Sequence, residues 1–156
     1  MLPCFPARLN PGPMGAAVDL QQLFSFLDTC SLGVLSTVGP NGTPQSALVG
    51  IAVTPGLELI FDTVERSRKF ANIGCDPRVA FVIGWQGEVT VQYEGRASQI
   101  SSTQLGPYHE IYFRKFPDGP DRLKWKGITY YVVRPSWIRY SDFTTPPPTI
   151  AAFNFD

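Results

Sequence analysis

The stretch Leu32-Gly33-Val34-Leu35-Ser36-Thr37-Val38-Gly39-Pro40-Asn41-Gly42-Thr43-Pro44-Gln45-Ser46-Ala47-Leu48-Val49-Gly50-Ile51-Ala52-Val53 decides the fold. Two apolar segments flank Gly39-Pro40-Asn41-Gly42, and an Asn-Gly pair in that setting is the strongest short-range signal for a β-hairpin. Leu32 to Val38 reads as one strand and Pro44 to Val53 as its return, with Gln45 and Ser46 at the start of the return. No Asp, Glu, Lys, Arg or His occurs between Asp28 and Glu58. A neutral stretch of that length raises the question of a membrane span. Gly33, Gly39, Pro40, Gly42, Pro44, Gly50, Pro55 and Gly56 interrupt it, so no continuous apolar run of about 20 residues exists there. The expectation is a pair of buried strands and no membrane partner.

Thr54-Pro55-Gly56 turns the chain into a third strand, Leu57 to about Asp62. Upstream, Asp19 reads as a helix N-cap with Gln22 as its capping-box partner, and Val18 with Leu23 as a hydrophobic staple. Leu20, Leu23, Phe24 and Leu27 then recur on one helical face that runs to about Cys30. Downstream, a short helix is expected near Glu65 to Ile73, closed by Gly74 with Pro77 beyond it. Arg78 to Gly84 reads as a strand. Glu88 to Ile100 reads as a longer one in which polar Thr90, Gln92 and Glu94 alternate with apolar Val89, Val91 and Tyr93. Ser101 to Phe116 is expected to be helical in part, limited by Pro107. Arg122-Leu123-Lys124-Trp125-Lys126 reads as a solvated basic loop before a last strand from Ile128 to about Tyr140. Pro146-Pro147-Pro148 is expected to end regular structure before an apolar tail. The organisation predicted is an extended arm over residues 1–17, one domain over 18–145 and a tail over 146–156. Six antiparallel strands with two or three short helices suggest a mainly β protein, a small closed or nearly closed barrel.

Composition bounds the function. The 156 residues carry 13 Lys plus Arg against 13 Asp plus Glu, and a net charge of zero speaks against a nucleic-acid partner. Apolar residues at 44% and charged residues at 17% exclude wholesale disorder. Cys4, Cys30 and Cys75 are far apart and the chain has a single histidine, His109, so no metal-ligand spacing is present. The start, Met1-Leu2-Pro3-Cys4-Phe5-Pro6, lacks a charged region followed by an apolar run, and a cytoplasmic location with reduced thiols is expected.

The chemistry concentrates in Phe61-Asp62-Thr63-Val64-Glu65-Arg66-Ser67-Arg68-Lys69-Phe70, where a strand ends and a helix begins. A helix start offers free N–H groups and partial positive charge to an anion. Arg66, Arg68 and Lys69 add formal charge, and Thr63 and Ser67 add neutral donors. The residues alone leave two readings open, a phosphate site or a solvated basic helix start paired with Glu65 or Asp76.

Several segments in order resemble the flavin-binding split barrel of the pyridoxamine 5′-phosphate oxidase group. They are the Asn41-Gly42 hairpin, the strand ending at Asp62-Thr63, Ser67-Arg68-Lys69 with Asn72, Asp76-Pro77-Arg78-Val79, and Glu94-Gly95-Arg96-Ala97. The resemblance spans about residues 20 to 142 and implies a Greek-key split barrel. It implies that Thr63, Ser67, Arg68 and Lys69 hold the FMN phosphate and that Asp62 also contacts the cofactor. Ser46, Ala47, Leu48, Val49, Gly50 and Ile51 would pass the isoalloxazine through their backbone. It further implies a homodimer with FMN in the subunit groove, where Thr90 approaches the partner's flavin. The chain departs from the true oxidase: Ala47 and Ala52 stand where that enzyme carries Arg and Lys in the second strand. Its C-terminal Arg and His segment is not evident either, so vitamin B6 oxidation is not expected.

FMN chemistry asks few side chains of the protein, because the cofactor takes up the hydride or electrons. The expected function is an FMN-dependent oxidoreductase using NAD(P)H or a small organic substrate as electron donor. A non-catalytic redox store or sensor is the alternative, and a deazaflavin-dependent reductase on the same barrel a third. Trp137 and Arg139 share one side of the last strand and are substrate candidates; a cation packed over an aromatic is the competing reading. His109 is expected to be a surface or helix-packing residue, and no catalytic residue is assigned.

Overall fold

The computed structural model describes residues 18–155. Its strands are β1 Leu32–Val38, β2 Pro44–Gly50, β3 Ala52–Val53, β4 Leu59–Val64, β5 Arg78–Ile83, β6 Val89–Gln99, β7 Ile128–Asp142 and β8 Thr149–Asn154. The helices are α1 Leu20–Thr29, α2 Arg68–Cys75, α3 Leu105–Lys115 and α4 Gly119–Arg122, with one 3-10 turn at Gln86–Glu88. All pairings are antiparallel, in the order β2-β1-β5-β6-β7-β4-β3, and β8 adds to β7.

The two ends of that order, β2 and β3, are a single stretch of chain interrupted at Ile51. The sheet therefore curls into a barrel that six strand units build, once β2 and β3 are counted together. Closure is partial. β3 pairs β4 only at Ala52 with Ile60 and Val53 with Leu59. Over Pro44–Gly50 the second strand pairs β1 alone, and over Phe61–Val64 the fourth pairs β7 alone. A split opens between those two free edges.

The hairpin forms where Asn41-Gly42 places it: Gly42 takes φ +74° and the Gly39 N–H donates to the Thr43 carbonyl at 2.8 Å. The capping box on α1 is formed in both directions, at 2.8 and 2.9 Å. Leu23 and Leu27 of α1 are fully buried against Leu35, Phe61, Phe81, Val91, Tyr93 and Val133, so the helix plugs the barrel. Tyr93 crosses that interior, and its hydroxyl reaches the carbonyls of Leu57 (3.0 Å) and Val133 (2.8 Å). Burial pushes its ionisation well above the ordinary tyrosine range.

A second apolar layer lies outside. Tyr112, Tyr108, Ile111 and Phe116 of α3 pack on Ala52, Ile60, Tyr130 and Val132. The first half of β7 is thus covered on both faces, and Thr129 to Val133 are buried without alternation.

Four boundaries differ from the sequence reading. The helix expected from Glu65 begins at Arg68, because Ser67 supplies the N-cap oxygen for the Phe70 N–H. It passes through Gly74 to Cys75. The third strand begins at Leu59 rather than Leu57, since Leu57 sits at φ +64° inside the Thr54–Glu58 turn. Residues beyond Pro146-Pro147-Pro148 are not an irregular tail: Thr149–Asn154 pairs the second half of β7, from Trp137 opposite Asn154 to Asp142 opposite Thr149. The arm expected over residues 1–17 lies outside the described residues.

β6 pairs β7 over the whole of Val89–Gln99 because a bulge absorbs one residue at Glu94/Gly95. A Cβ on Gly95 would stand 2.3 Å from the Arg134 carbonyl oxygen, whereas one on Gly74 meets nothing within 4 Å. Gly95→Ala is expected to cost about 1–3 kcal/mol in urea unfolding, as overpacking does. Gly74→Ala, inside a helix, should be neutral or stabilising by about 0.5–1 kcal/mol.

Candidate functional site

The strand–helix junction singled out in the sequence lies at the mouth of the split. Thr63 ends β4 with its side chain inward, and its Oγ1 lies 2.9 Å from Ser67 Oγ. Ser67 Oγ already accepts from the Phe70 N–H at 3.2 Å. Either hydroxyl can donate in that contact, so one of the two hydroxyl hydrogens is left free to meet a ligand. The N–H groups of Arg68 and Lys69 open α2, and first-turn amides have no intrahelical acceptor. Arg68 is exposed and Lys69 half-buried, and neither is ion-paired among the described residues. Asp76, one of the acids weighed as a partner for this cluster, is instead taken by Arg78 at 2.6 Å. That donor set, two cations, a free hydroxyl and helix-start amides, suits a phosphate.

What fixes α2 here is Asn72, 5% exposed. Its Nδ2 donates to Thr37 Oγ1 and to Gln45 Oε1, both at 2.9 Å. Both acceptors sit on the inward faces of the β1–β2 hairpin, so a single amide ties the helix to the strand that forms the other lip of the split. The sequence offered Asn72 only through family resemblance; its anchoring role spans 35 residues and leaves no local signature.

The register sorts the remaining candidates. Gln45, Ala47 and Val49 of β2 face inward, while Ser46, Leu48 and Gly50 face outward. Outward residues fall into rows across the sheet. Ser46 lies opposite Ser36, then Ala80, Glu94, Trp137 and Asn154. Leu48 lies opposite Val34, then Val82, Gln92, Arg139 and Ala152. Thr90, opposite Ser141, is in the next row. Ser46, Leu48, Thr90, Trp137 and Arg139 therefore share one outer platform that no helix covers, while Gly50 at its margin lies under the end of α3. Leu48 is 59% and Val82 45% exposed on it, together with Leu32 and Ile150. Ser36 and Ser46 join their hydroxyls at 2.9 Å. Arg139 is half-buried with its Nε lacking a partner.

Asp62 does not join Thr63. Its carboxylate is on the opposite face of β4, paired to Arg122 at 3.1 Å, and Arg122 also takes Asp118 at 2.8 Å and lies over the Phe116 ring. Arg122 is accordingly not part of a solvated loop. Beside this pair stand the buried hydroxyls of Tyr112 and Tyr130, both without a partner. Burial, reinforced by the Asp62 charge, pushes Tyr130 up to about 12 and Tyr112 higher. Tyr112 and Phe116 also press on the outward side of Gly50, where a Cβ would come within 3.0 Å of Phe116 and 3.2 Å of the Tyr112 hydroxyl. His109 is a packing residue, stacked on Phe113 at 4.6 Å and edge-on to Tyr130 at 4.5 Å, and burial lowers its basicity.

No helix among the described residues is long and apolar enough to cross a membrane. The family model described as pyridoxamine 5′-phosphate oxidase matches residues 20–142. A curated pyridoxine/pyridoxamine 5′-phosphate oxidase of Thermosynechococcus vestitus is 34% identical over 77 residues. That match covers 49% of this chain and 36% of the relative, about a third of its length. Solved structures share the fold. A haem-binding protein from Mycobacterium smegmatis superposes with TM-score 0.75 at 13% identity, over 90% of this chain and 60% of that one. A pyridoxamine 5′-phosphate oxidase-related, FMN-binding protein from Nostoc punctiforme gives 0.61 at 16%, over 81% and 87%. A protein named F420 reductase gives 0.58 at 24%, over 73% and 93%. The mainly β split barrel is thus the fold of this chain, with β8 as an addition to the six expected strands.

The Asn72 anchor is testable. Asn72→Leu leaves the Thr37 hydroxyl and Gln45 carbonyl without their donor and is expected to cost about 1–3 kcal/mol. Ser67→Ala, a lost cap, is expected to cost about 1 kcal/mol in the same urea titration.

Proposed function

Because the chain belongs to the pyridoxamine 5′-phosphate oxidase family, we propose that it binds FMN in the split between β2 and β4 and works as an FMN-dependent oxidoreductase. The observation that carries this reading is the unsatisfied donor set at the start of α2 facing the free edge of β2. Ser67, Arg68 and Lys69 would hold the phosphate, with Thr63 keeping the Ser67 hydroxyl oriented. Backbone groups of residues 46–51 on the unpaired edge would meet the polar rim of the ring, as exposed edges accept any matching partner. FMN in that place supplies acceptance of a hydride or of electrons. The chain's own part is to hold the phosphate, orient the ring and shield one face. Gly50, backed by Tyr112 and Phe116, sets how closely the ring can approach the strand.

The donor is proposed to be NAD(P)H or a small organic molecule bound on the outer platform near Trp137 and Arg139. Ala47 and Ala52 supply no charge for a substrate phosphate beside the ring, which argues against vitamin B6 oxidation. The homodimer is proposed on the same surface: Leu32, Leu48, Val82 and Ile150 are exposed apolar residues that a second copy would cover, bringing Thr90 of one protomer toward the flavin of its partner. Haem is disfavoured by His109, the chain's one histidine, whose Nε2 is buried against α3 and β7.

Purified protein should show flavin absorbance or bind added FMN. Arg68→Ala combined with Lys69→Ala should weaken FMN at least tenfold with an unchanged apo melting temperature; each tenfold is about 1.4 kcal/mol. Equal affinity in that variant would refute the phosphate assignment. Stopped-flow mixing of the FMN-loaded protein with NADPH and NADH separates enzyme from store: reduction by either supports the oxidoreductase, and none by both favours a store or sensor. A protein that binds F420 in preference to FMN would move the reading to the deazaflavin class.

A further inference from the structure

The outer platform carries a feature that the flavin reading does not use. Arg78 lies directly opposite Arg96, and Arg96 directly opposite Arg134. Residues opposed in this way point to the same face, so three guanidinium side chains stand in one exposed row. At about 4.8 Å per strand the row is about 10 Å long. Like charges directly opposite each other destabilise a sheet. The compensation is uneven. Asp76 takes Arg78 in a fork of 2.6 and 3.1 Å, which holds its carboxyl down to about 2. Glu58 reaches Arg134 Nε only at 3.4 Å. Arg96, in the middle, has no ion-pair partner among the described residues.

Arg78 and Arg96 also line a groove of about 500 Å³ whose other polar walls are Ser36, Glu94 and Ser136. Val38, Pro44 and Ala80 make its apolar lining. Of the apolar residues proposed to meet a second copy, Leu48 and Val82 lie two rows away along the strands, about 13 Å at 3.3 Å per residue, and Leu32 and Ile150 three, so the arginine row stays open.

We propose that this groove is a second anion site, separate from the start of α2, and that it takes a nucleoside diphosphate group. Opposed residues on neighbouring strands stand about 5 Å apart at their Cβ atoms, so Arg96, with its guanidinium unpaired, and Arg78, with the Nη1 that Asp76 leaves free, can meet two linked phosphates. Glu94 only accepts hydrogen bonds, so it selects hydroxyl donors such as those of a ribose beside the phosphates. The same carboxylate, with Asp76 and Glu58, removes the uniform positive field a polynucleotide would need. The proposal stands independently of FMN, since neither arginine nor Glu94 lies at the split.

Calorimetric titration of the purified chain, without added flavin, with ADP and with inorganic pyrophosphate tests it. ADP is expected to bind at least tenfold more tightly than pyrophosphate. Arg96→Ala should weaken ADP at least tenfold, Arg96→Lys less, and Arg68→Ala with Lys69→Ala should leave it unchanged. Removing Arg96 relieves repulsion, so its melting temperature should stay equal or rise, which separates lost binding from lost folding. ADP binding unaffected by Arg96→Ala, or absent up to about 10 mM, an affinity below about 3 kcal/mol, would overturn the site. Loss in the Arg68/Lys69 variant would place the diphosphate on α2 and overturn it equally. Pyrophosphate binding as tight as ADP would refute the nucleoside part.

Discussion

One strand has to serve both ends of the sheet. Because β2 and β3 are a single run of chain bent at Ile51, the β order can close only where β3 reaches β4, a matter of two paired positions. Everything beyond that short seam must part. The parting exposes backbone N–H and C=O groups along Pro44–Gly50 and Phe61–Val64, which would be a liability in a sheet without a use for them. Here α2 is tied across the gap by Asn72, so the place where strand pairing fails is also where the free N–H groups and cations of the helix start gather.

The rest of the molecule holds that gap at a fixed width. α1 fills the barrel from within through Leu23 and Leu27, and Tyr93 ties the Leu57 turn to β7 across the interior. Asn72 bridges α2 to the hairpin, so the two lips of the split are joined by hydrogen bonds as well as by packing. α3 covers β3, β4 and the first half of β7, leaving the platform from β2 to β8 bare. The interior and the part of the outer face under α3 are thus spent on stability, and the rest of the outer face is available for partners and ligands.

The parts legible in the sequence were those with local causes. Asn41-Gly42 specified its turn, Asp19 and Gln22 their capping box, and the alternation of Val89 to Glu94 its strand. The junction at Thr63 and Ser67 was visible too, because a capping hydroxyl lies near its helix in sequence. Displaced readings had competing causes. Glu65 stays outside the helix because Ser67 is the better cap, and Leu57 stays outside the strand because the turn places it in the left-handed region. The Pro146-Pro147-Pro148 run suggested an end, yet the short alternating segment after it found an open edge on β7. Arg122 with Asp62, 60 residues apart, and the arginine row depend on register, which no local pattern announces.

A flavin seated in the split between β2 and the start of α2 would cover backbone groups on both lips, and hydrogen–deuterium exchange of the intact protein with and without saturating FMN reads those groups. Exchange is expected to slow in peptides covering residues 45–51 and 63–70 together, with no change in residues 149–154. Protection absent from residues 45–51, or confined to segments outside the split, would contradict that placement.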